Sequence, residues 1–170
     1  NNTRPLDTWL EKYTTGTLSD TEQKSIDNLL TYLSSRGIGP DWYDFMYSSS
    51  KVWDVYQRLL IPFYWRGEVV GFTGRMFEES NGVKYYTDVW PGYVFNMDAQ
   101  DWTRKFVIVT EGPFDAITVS GVSILGSEIN DTQRELIDGL GRRVIVVPDR
   151  DAPGEKLIGQ AKEFGWSVAF

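Results

Sequence analysis

The feature that most constrains the fold is the alternation of apolar runs and helical segments in the second half of the chain. KFVIVT and RVIVVP are almost unbroken apolar runs, which are typical of parallel strands covered on both faces. The order β-α-β-α-β-α-β predicts an α/β domain whose mostly parallel sheet is flanked by helices. The expected strands are 105–110, 122–126, 143–148 and 166–170, and the expected helices are 113–120, 132–139 and 153–165.

The first half of the chain has a different character. Ser19 and Glu22 form a capping box ahead of apolar residues spaced as on one helix face, and a short second helix is expected over 39–46. Two β-rich runs flank the dipeptide Arg66-Gly67 and predict a hairpin over 59–75, followed by a strand starting at Lys84. We therefore expect a smaller α+β subdomain over 1–100 and the parallel-sheet domain over 101–170.

Composition excludes several kinds of chemistry. The 170 residues include no cysteine and no histidine, so disulfides, zinc ribbons, Cys–His pairs and Ser–His–Asp triads cannot be built from this sequence. The net charge of −7 argues against a protein that simply coats nucleic acid, but suits carboxylates that hold divalent cations. No apolar run approaches the length of a membrane-spanning helix, so no membrane partner is expected.

Acidic side chains follow two of the expected strands. Glu111 comes after the first of them, with Asp115 one helical turn later, and Asp149 and Asp151 come after another. In α/β sheets, functional groups gather beyond the carboxyl ends of the strands, and residues two apart in an extended segment point the same way. Carboxylates in one cleft repel unless cations lie between them, and oxygen ligands favour Mg²⁺ or Mn²⁺.

Each of these positions also has a structural interpretation. Asp149 and Asp151 are favoured as turn or N-cap residues ahead of the next helix, and Asp115 taken alone is typical of a solvated helix position. Glu111 is harder to explain in this way, because it ends an apolar strand and precedes Gly-Pro. The placement of both acidic groups at equivalent strand ends favours a shared site.

In this order the motifs resemble a known family. Glu111-Gly-x-x-Asp115 and Asp149-x-Asp151, each after an apolar strand, resemble the Toprim domain shared by primases and topoisomerases. Further segments resemble the catalytic core of DnaG-type primases of bacteria and phages, and the resemblance runs from about residue 29 to the end. These segments are Tyr32-Leu-x-x-Arg36-Gly-Ile, Ile61-Pro-Phe, Gly71-Phe-x-Gly-Arg75, Lys84-Tyr85, Ile124-Leu-Gly-Ser127 and Asp149-Arg-Asp151-Ala-x-Gly154.

The resemblance implies a DNA-directed RNA polymerase of primase type, which makes short RNA primers from NTPs on a single-stranded DNA template with Mg²⁺ or Mn²⁺. It implies that Glu111, Asp149 and Asp151 are catalytic metal ligands and that Asp115 is a supporting ligand. Glu111 is alternatively a general acid–base group. Arg75 and Lys84 match basic positions that contact template or substrate, although both are also explained as surface charges.

The resemblance further implies a replicative helicase as partner and a cytoplasmic location in a bacterial cell or a phage-infected host. The third acidic cluster of the family follows the strand that WSVAF resembles, so the Toprim domain is expected to be truncated after Phe170. The zinc ribbon of the family has no counterpart here.

Two other functions fit the same acidic motifs. A Toprim nuclease would share the carboxylates but hydrolyse phosphodiesters, and the Gly-Phe-x-Gly-Arg and Lys-Tyr segments favour a primase over it. A degenerate primase-like module would bind DNA or a helicase without catalysis, and the complete set of acidic residues argues against such decay.

Overall fold

The computed structural model describes residues 3–49, 57–78, 84–150 and 154–170. Asp151 of the predicted site and Pro153, the expected start of the last helix, lie outside the described residues. The chain forms two compact units: Asn1–Phe63 with Val69–Val89, and Tyr64–Glu68 with Trp90–Phe170. The assignment of 1–100 and 101–170 as functional domains stays a prediction, because compactness alone does not define a unit of function.

The first unit combines two helices, in its described part, with an antiparallel sheet. Its strands are hydrogen-bonded in the order β1-β2-β3-β4-β5, and the tip of the β3–β4 hairpin, residues 64–68, counts with the second unit. The elements are β1 (Thr3–Pro5), α1 (Leu6–Thr15), α2 (Asp20–Ser35), β2 (Met46–Ser48), β3 (Arg58–Trp65), β4 (Glu68–Met76) and β5 (Tyr85–Asp88).

Helix α2 begins at the capping box that its sequence predicts. The Ser19 hydroxyl accepts a hydrogen bond from the Glu22 amide at 3.2 Å, and the Glu22 carboxylate accepts one from the Ser19 amide at 3.1 Å. Gly37, with φ of 68°, takes the left-handed conformation that lets the chain leave the helix. The buried face of α2 consists of Ile26, Leu29 and Leu33, spaced three and four residues apart.

The short helix expected over 39–46 does not form, and that prediction is wrong. A turn closes instead, with the Trp42 amide donating to the Gly39 carbonyl, and Met46 begins strand β2. The Phe45 carbonyl accepts a hydrogen bond from the Leu6 amide, and Met46 pairs with Leu60. Strand pairing with β1 and β3 therefore outweighs the local helical preference of this segment.

The predicted hairpin is confirmed. Its two-residue tip, Arg66-Gly67, has φ of 50° and 81°, the positive pair required by the tight turn that suits the natural twist of two strands. The Asp98 carboxylate accepts hydrogen bonds from the Arg66 and Gly67 amides at 3.0 and 2.8 Å. A side chain distant in sequence thus holds the tip in place.

The second unit has the predicted α/β architecture. Its strands lie in the order β7-β6-β8-β9, and every recorded pairing between them is parallel. Strands β7 and β9 are shorter than the apolar runs suggested. After a short 3-10 helix (Met97–Ala99), the elements are β6 (Phe106–Thr110), α3 (Pro113–Val119), β7 (Val122–Ser123), α4 (Asp131–Asp138), β8 (Arg143–Val147), α5 (Gly154–Phe164) and β9 (Ser167–Val168).

Two local features of this unit depend on individual residues. The capping box of α4 is formed by Asn130 and Gln133, so the helix starts at Asp131, one residue before the expected start at Thr132. Gln133 lies in the core, where its side-chain amide donates to the carbonyls of Tyr93 and Ile124. In the described part of the chain, no helix combines the length and apolar character needed to cross a membrane.

The core of the second unit lies between the sheet and its helices. Strands β6 and β8 contribute valines on their buried positions, while α4 and α5 contribute Ile137 and Leu157, all with almost no exposed surface. Removing this apolar surface from water is the main source of stability of such a unit. The buried residues are Val94, Val107, Val109, Val122, Ile124, Ile129, Ile137, Val144, Val146, Leu157 and Ala161.

Substitution by alanine is expected to have opposite effects on stability at two glycines of this unit. A Cβ on Gly121 would lie 2.4 Å from the Ile108 carbonyl oxygen, whereas a Cβ on Gly159 in α5 would meet nothing within 4 Å. Gly121→Ala is expected to lower the free energy of unfolding by about 1–3 kcal/mol, because backbone must move. Gly159→Ala is expected to raise it by about 0.5–1 kcal/mol, because alanine is the better helix former.

Urea denaturation of the two variants beside the wild type measures both changes. A Gly121→Ala protein as stable as Gly159→Ala would contradict the close approach of Gly121 to β6.

Candidate functional site

The register of β6 and β8 brings two acidic residues together. The strands are parallel neighbours, and Thr110, the last residue of β6, pairs with Val147, the last residue of β8. Glu111 therefore leaves the sheet level with Pro148, and Asp149 follows one residue later. Residues 38 positions apart in the sequence meet at one edge of the sheet.

Glu111 is a buried carboxylate, with only 6% of its surface exposed. Its Oε2 atom accepts a hydrogen bond from the backbone amide of Asp149. A buried charge is tolerated when it is hydrogen-bonded in this way, so the bond accounts for a glutamate at the end of an apolar strand. The side chain of Asp149 itself is exposed.

The backbone of Glu111 is fixed from the neighbouring strand. The buried Ser123 hydroxyl donates to the Glu111 carbonyl at 2.7 Å and accepts a hydrogen bond from the Leu125 amide at 3.0 Å. The Gly126 amide donates to the same carbonyl at 3.2 Å. Sequence reasoning did not identify Ser123 as part of the site, although a serine within the buried apolar run VSIL was the available signal.

Gly154 supports the other side of the site. A Cβ on Gly154 would lie 2.4 Å from the Asp149 carbonyl oxygen, so a residue with a side chain cannot pack here without moving the segment that carries the aspartate. Gly154 thus allows the start of α5 to lie directly against the backbone of Asp149.

The other predicted acidic residues are placed differently. Asp115 is exposed in the first turn of α3, and Asp151 lies outside the described residues. Within the described ranges, no group of three or more His, Cys, Asp or Glu residues is arranged to hold a metal ion. Because Asp151 is not among the described residues, the predicted set of Glu111, Asp149 and Asp151 stays a prediction, and the role of Asp115 does as well.

In the first unit, Arg75 lies in a cluster of aromatic and basic side chains. Its Nε atom donates to the Tyr32 hydroxyl at 2.9 Å, and its guanidinium lies 4.6 Å from the ring centre of Tyr85 and 5.4 Å from that of Tyr32. The Arg36 guanidinium lies 5.6 Å from the centre of the same Tyr32 ring. We call Tyr32, Arg36, Arg75 and Tyr85 the arginine–tyrosine cluster.

The arginine–tyrosine cluster favours the protonated form of Tyr85. Partial burial of the Tyr85 hydroxyl, together with its interaction with Tyr32, raises the pKa of Tyr85 above its ordinary value, while Arg36 and Arg75 act in the opposite direction. A neutral phenol and two guanidinium groups offer hydrogen-bond donors and positive charge on one surface. That combination suits an anionic ligand with planar groups.

Lys84 is exposed, and its backbone has a structural role. Its carbonyl accepts hydrogen bonds from the Met76 amide at 2.9 Å and from the buried Arg58 side chain at 3.1 Å. Gly71 and Gly74, on either side of Phe72 and Thr73 in β4, pack tightly against neighbouring atoms. Their Cβ positions would lie 2.2 Å from the Asp88 carbonyl oxygen and 2.9 Å from the Arg58 side chain.

Comparison with solved structures identifies the fold. The chain superposes on the zinc-binding and RNA polymerase domains of Aquifex aeolicus primase with a TM-score of 0.68 and 24% identity over 96% of this chain and 52% of the other. It matches a DnaG catalytic core with a TM-score of 0.69 and 18% identity over 94% of this chain and 67% of the other. It matches the Escherichia coli primase catalytic core with a TM-score of 0.65 and 18% identity over 85% of this chain and 62% of the other.

The chain therefore has a mixed α/β fold of the class that these structures represent. More narrowly, the chain has the fold of the DnaG-type primase catalytic core, which confirms the resemblance seen in the sequence at the level of fold. The chain spans roughly half to two thirds of the length of these structures, 52% to 67%. No family model matches the sequence, and no curated protein matches it either.

Proposed function

We propose that the chain is the catalytic core of a DNA primase, a DNA-directed RNA polymerase that makes short RNA primers from NTPs on single-stranded DNA. The observation that carries the proposal is the buried Glu111 carboxylate, held by the Asp149 amide at adjacent strand ends of a primase-core fold. A carboxylate buried at this cost, next to a second acidic residue at the surface, is typical of a functional site.

The donor set fits a hard divalent cation. Glu111, Asp149 and Asp151 would hold Mg²⁺ or Mn²⁺, with Asp115 as a supporting ligand, and all of these donors are oxygen atoms. Such an ion, when bound, lowers the pKa of an attacking hydroxyl and neutralises charge on the phosphates. The exposed Asp149 would be accessible to an arriving nucleotide, while the backbone of Glu111 is held by Ser123.

The side chains of the site would have separate roles in orienting Glu111, accepting a proton and binding phosphates. The hydrogen bond from Asp149 and the Ser123 contact hold Glu111 in one orientation before any ligand binds. Because the sequence contains no histidine, a proton from the primer hydroxyl would pass to a carboxylate or to water, and Glu111 is the candidate acceptor. Arg75, oriented by Tyr32 and Tyr85, would bind phosphates, with Lys84 as a second cation.

The same proposal includes the partners and the location. The substrates are NTPs, the template is single-stranded DNA and the expected partner is a replicative helicase, in the cytoplasm of a bacterial cell or a phage-infected host. Arg75 and Lys84, within residues 1–100, would contact template and substrate, and 101–170 would carry the metal site.

Incubation with Mg²⁺ or Mn²⁺, a single-stranded DNA template and labelled NTPs tests the function. Labelled oligoribonucleotides that appear only with template and metal support a primase. Shortening of the DNA without ribonucleotide incorporation would instead support a Toprim nuclease.

Glu111→Gln is expected to reduce primer synthesis by at least about 100-fold, because substitutions in the outer shell of metal sites already cost about 10–100-fold. Its melting temperature should stay close to that of the wild type, since the glutamine amide oxygen still accepts from the Asp149 amide. Gel analysis of labelled primers measures the activity. Glu135→Gln, the same change on the exposed face of α4, is the matched control and should keep full activity.

Glu111→Ala separates the structural role from the catalytic one. It removes the acceptor side chain, so we expect loss of activity together with a free energy of unfolding lowered by about 1–3 kcal/mol. Full activity of either Glu111 variant would exclude Glu111 from the catalytic site.

Arg75→Gln is expected to lower kcat/KM for NTP incorporation by about ten-fold or more, and Arg75→Lys to restore only part of it, because lysine lacks the planar fork of donors. Lys84→Gln, at an exposed position, should have a smaller effect. Steady-state kinetics with varied NTP concentration measures both.

Arg4→Gln is the matched control, because Arg4 also lies over an aromatic ring of the first unit, 5.8 Å from the centre of Trp9. If Arg75→Gln and Arg4→Gln behave alike, Arg75 serves packing and does not bind substrate.

A further inference from the structure

A second surface of interest lies at the amino ends of β6 and β8. Phe106 and Arg143 pair where the two strands begin, and the Arg143 amide donates to the Lys105 carbonyl at 3.1 Å. Glu111 and Asp149 follow the other ends of these strands. Since each strand has five residues, the two edges are roughly 17 Å apart. This surface is therefore distinct from the proposed catalytic site.

Trp102 is the most exposed large apolar side chain recorded at this edge, with 95% of its surface accessible. Tryptophan is mostly buried in folded proteins, so a fully exposed ring at this edge calls for an explanation. The ring lines a groove of about 460 Å³ together with Arg66, Met97, Leu140 and Arg142. We call this feature the Trp102 groove.

Positive charge gathers around the groove, although the whole chain carries a net charge of −7. Arg66 and Arg142 line it, and the Arg142 guanidinium is held beside Trp102 by a 3.0 Å hydrogen bond to the Asp101 carbonyl. Further cations stand at or just before the starts of β6 and β8. They are Arg104, Lys105 and Arg143.

The acidic residues of this edge are occupied by local contacts. Asp98 accepts the amides of the hairpin tip, and Asp101 accepts the Thr103 amide and hydroxyl, both at 2.8 Å. These Thr103 contacts lower the pKa of Asp101, so it stays ionised as a turn residue. Asp98, which also lines the groove, and Asp101 thus hold the loops in place, while the exposed Trp102 ring lies beside Arg66 and Arg142 in the lining of the groove.

We propose that the Trp102 groove binds single-stranded DNA, with an unpaired base stacked on Trp102 and the flanking phosphates contacted by Arg66 and Arg142. An exposed ring between cations is the arrangement that recognises single strands, because unpaired bases offer a π-face and every nucleotide carries a phosphate. A duplex hides its base faces, and an acidic peptide has no need of the ring. The choice of DNA as the nucleic acid rests on the proposed function.

The test uses fluorescence anisotropy of a labelled oligothymidylate in EDTA, so that the metal site plays no part. Trp102→Ala should weaken binding by about 5- to 100-fold, and Trp102→Phe should keep most of the affinity. Trp42→Ala is the matched control, because Trp42 is also exposed, at 52%, but belongs to the first unit. Melting temperatures should be unchanged, since truncation of an exposed ring loses little packing.

An abasic oligonucleotide of the same length isolates the stacking contact. The wild type should bind oligothymidylate more tightly than the abasic strand, and Trp102→Ala should lose most of that preference. Arg66→Gln should lower the slope of log affinity against log salt by about one, whereas Lys162→Gln, an exposed cation on α5, should not.

Two results would overturn the proposal. One is equal binding of oligothymidylate by the wild type and Trp102→Ala. The other is displacement of the DNA by polyglutamate of matched charge as effectively as by unlabelled oligothymidylate, which would indicate a general polyanion surface. Primer synthesis is measured separately. If the enzyme makes primers but Trp102→Ala does not weaken DNA binding, only this inference is rejected. If the enzyme makes no primers but Trp102→Ala does weaken DNA binding, only the proposed function is rejected.

Discussion

The hydrogen bond between the Asp149 amide and the Glu111 carboxylate is the contact on which the proposed site depends. It joins the ends of two parallel strands and lets a carboxylate lie buried at the edge of an apolar sheet. The Ser123 hydroxyl and the close packing of Gly154 fix the backbone on either side.

Sequence patterns predicted the parts of the fold that local physics decides. The apolar runs of β6 and β8, the Ser19–Glu22 capping box and the Arg66-Gly67 turn each depend on neighbouring residues, and all were found. The helix predicted over 39–46 did not form, because the last residue of the segment, Met46, pairs with β1 and β3, and local preference cannot reveal such pairing. The capping role of Gln133 in α4 was likewise not evident from the sequence, since its side chain also contacts the core.

Part of the candidate site could also be predicted from the sequence. Parallel strand ends must meet at one edge, so the approach of Glu111 to Asp149 followed from the strand order alone. The role of Ser123 and the cradle of Tyr32 and Tyr85 around Arg75 depend on side-chain packing and became evident only from the structure.

Diffraction from crystals soaked in Mn²⁺ tests the central claim most directly, because the anomalous signal of the ion reports its position without reference to activity. The account predicts a peak about 2.0–2.3 Å from a carboxylate oxygen of Glu111, with an Asp149 or Asp151 oxygen at a similar distance. Mn²⁺ bound only at other carboxylates, at a concentration that supports primer synthesis, would contradict it.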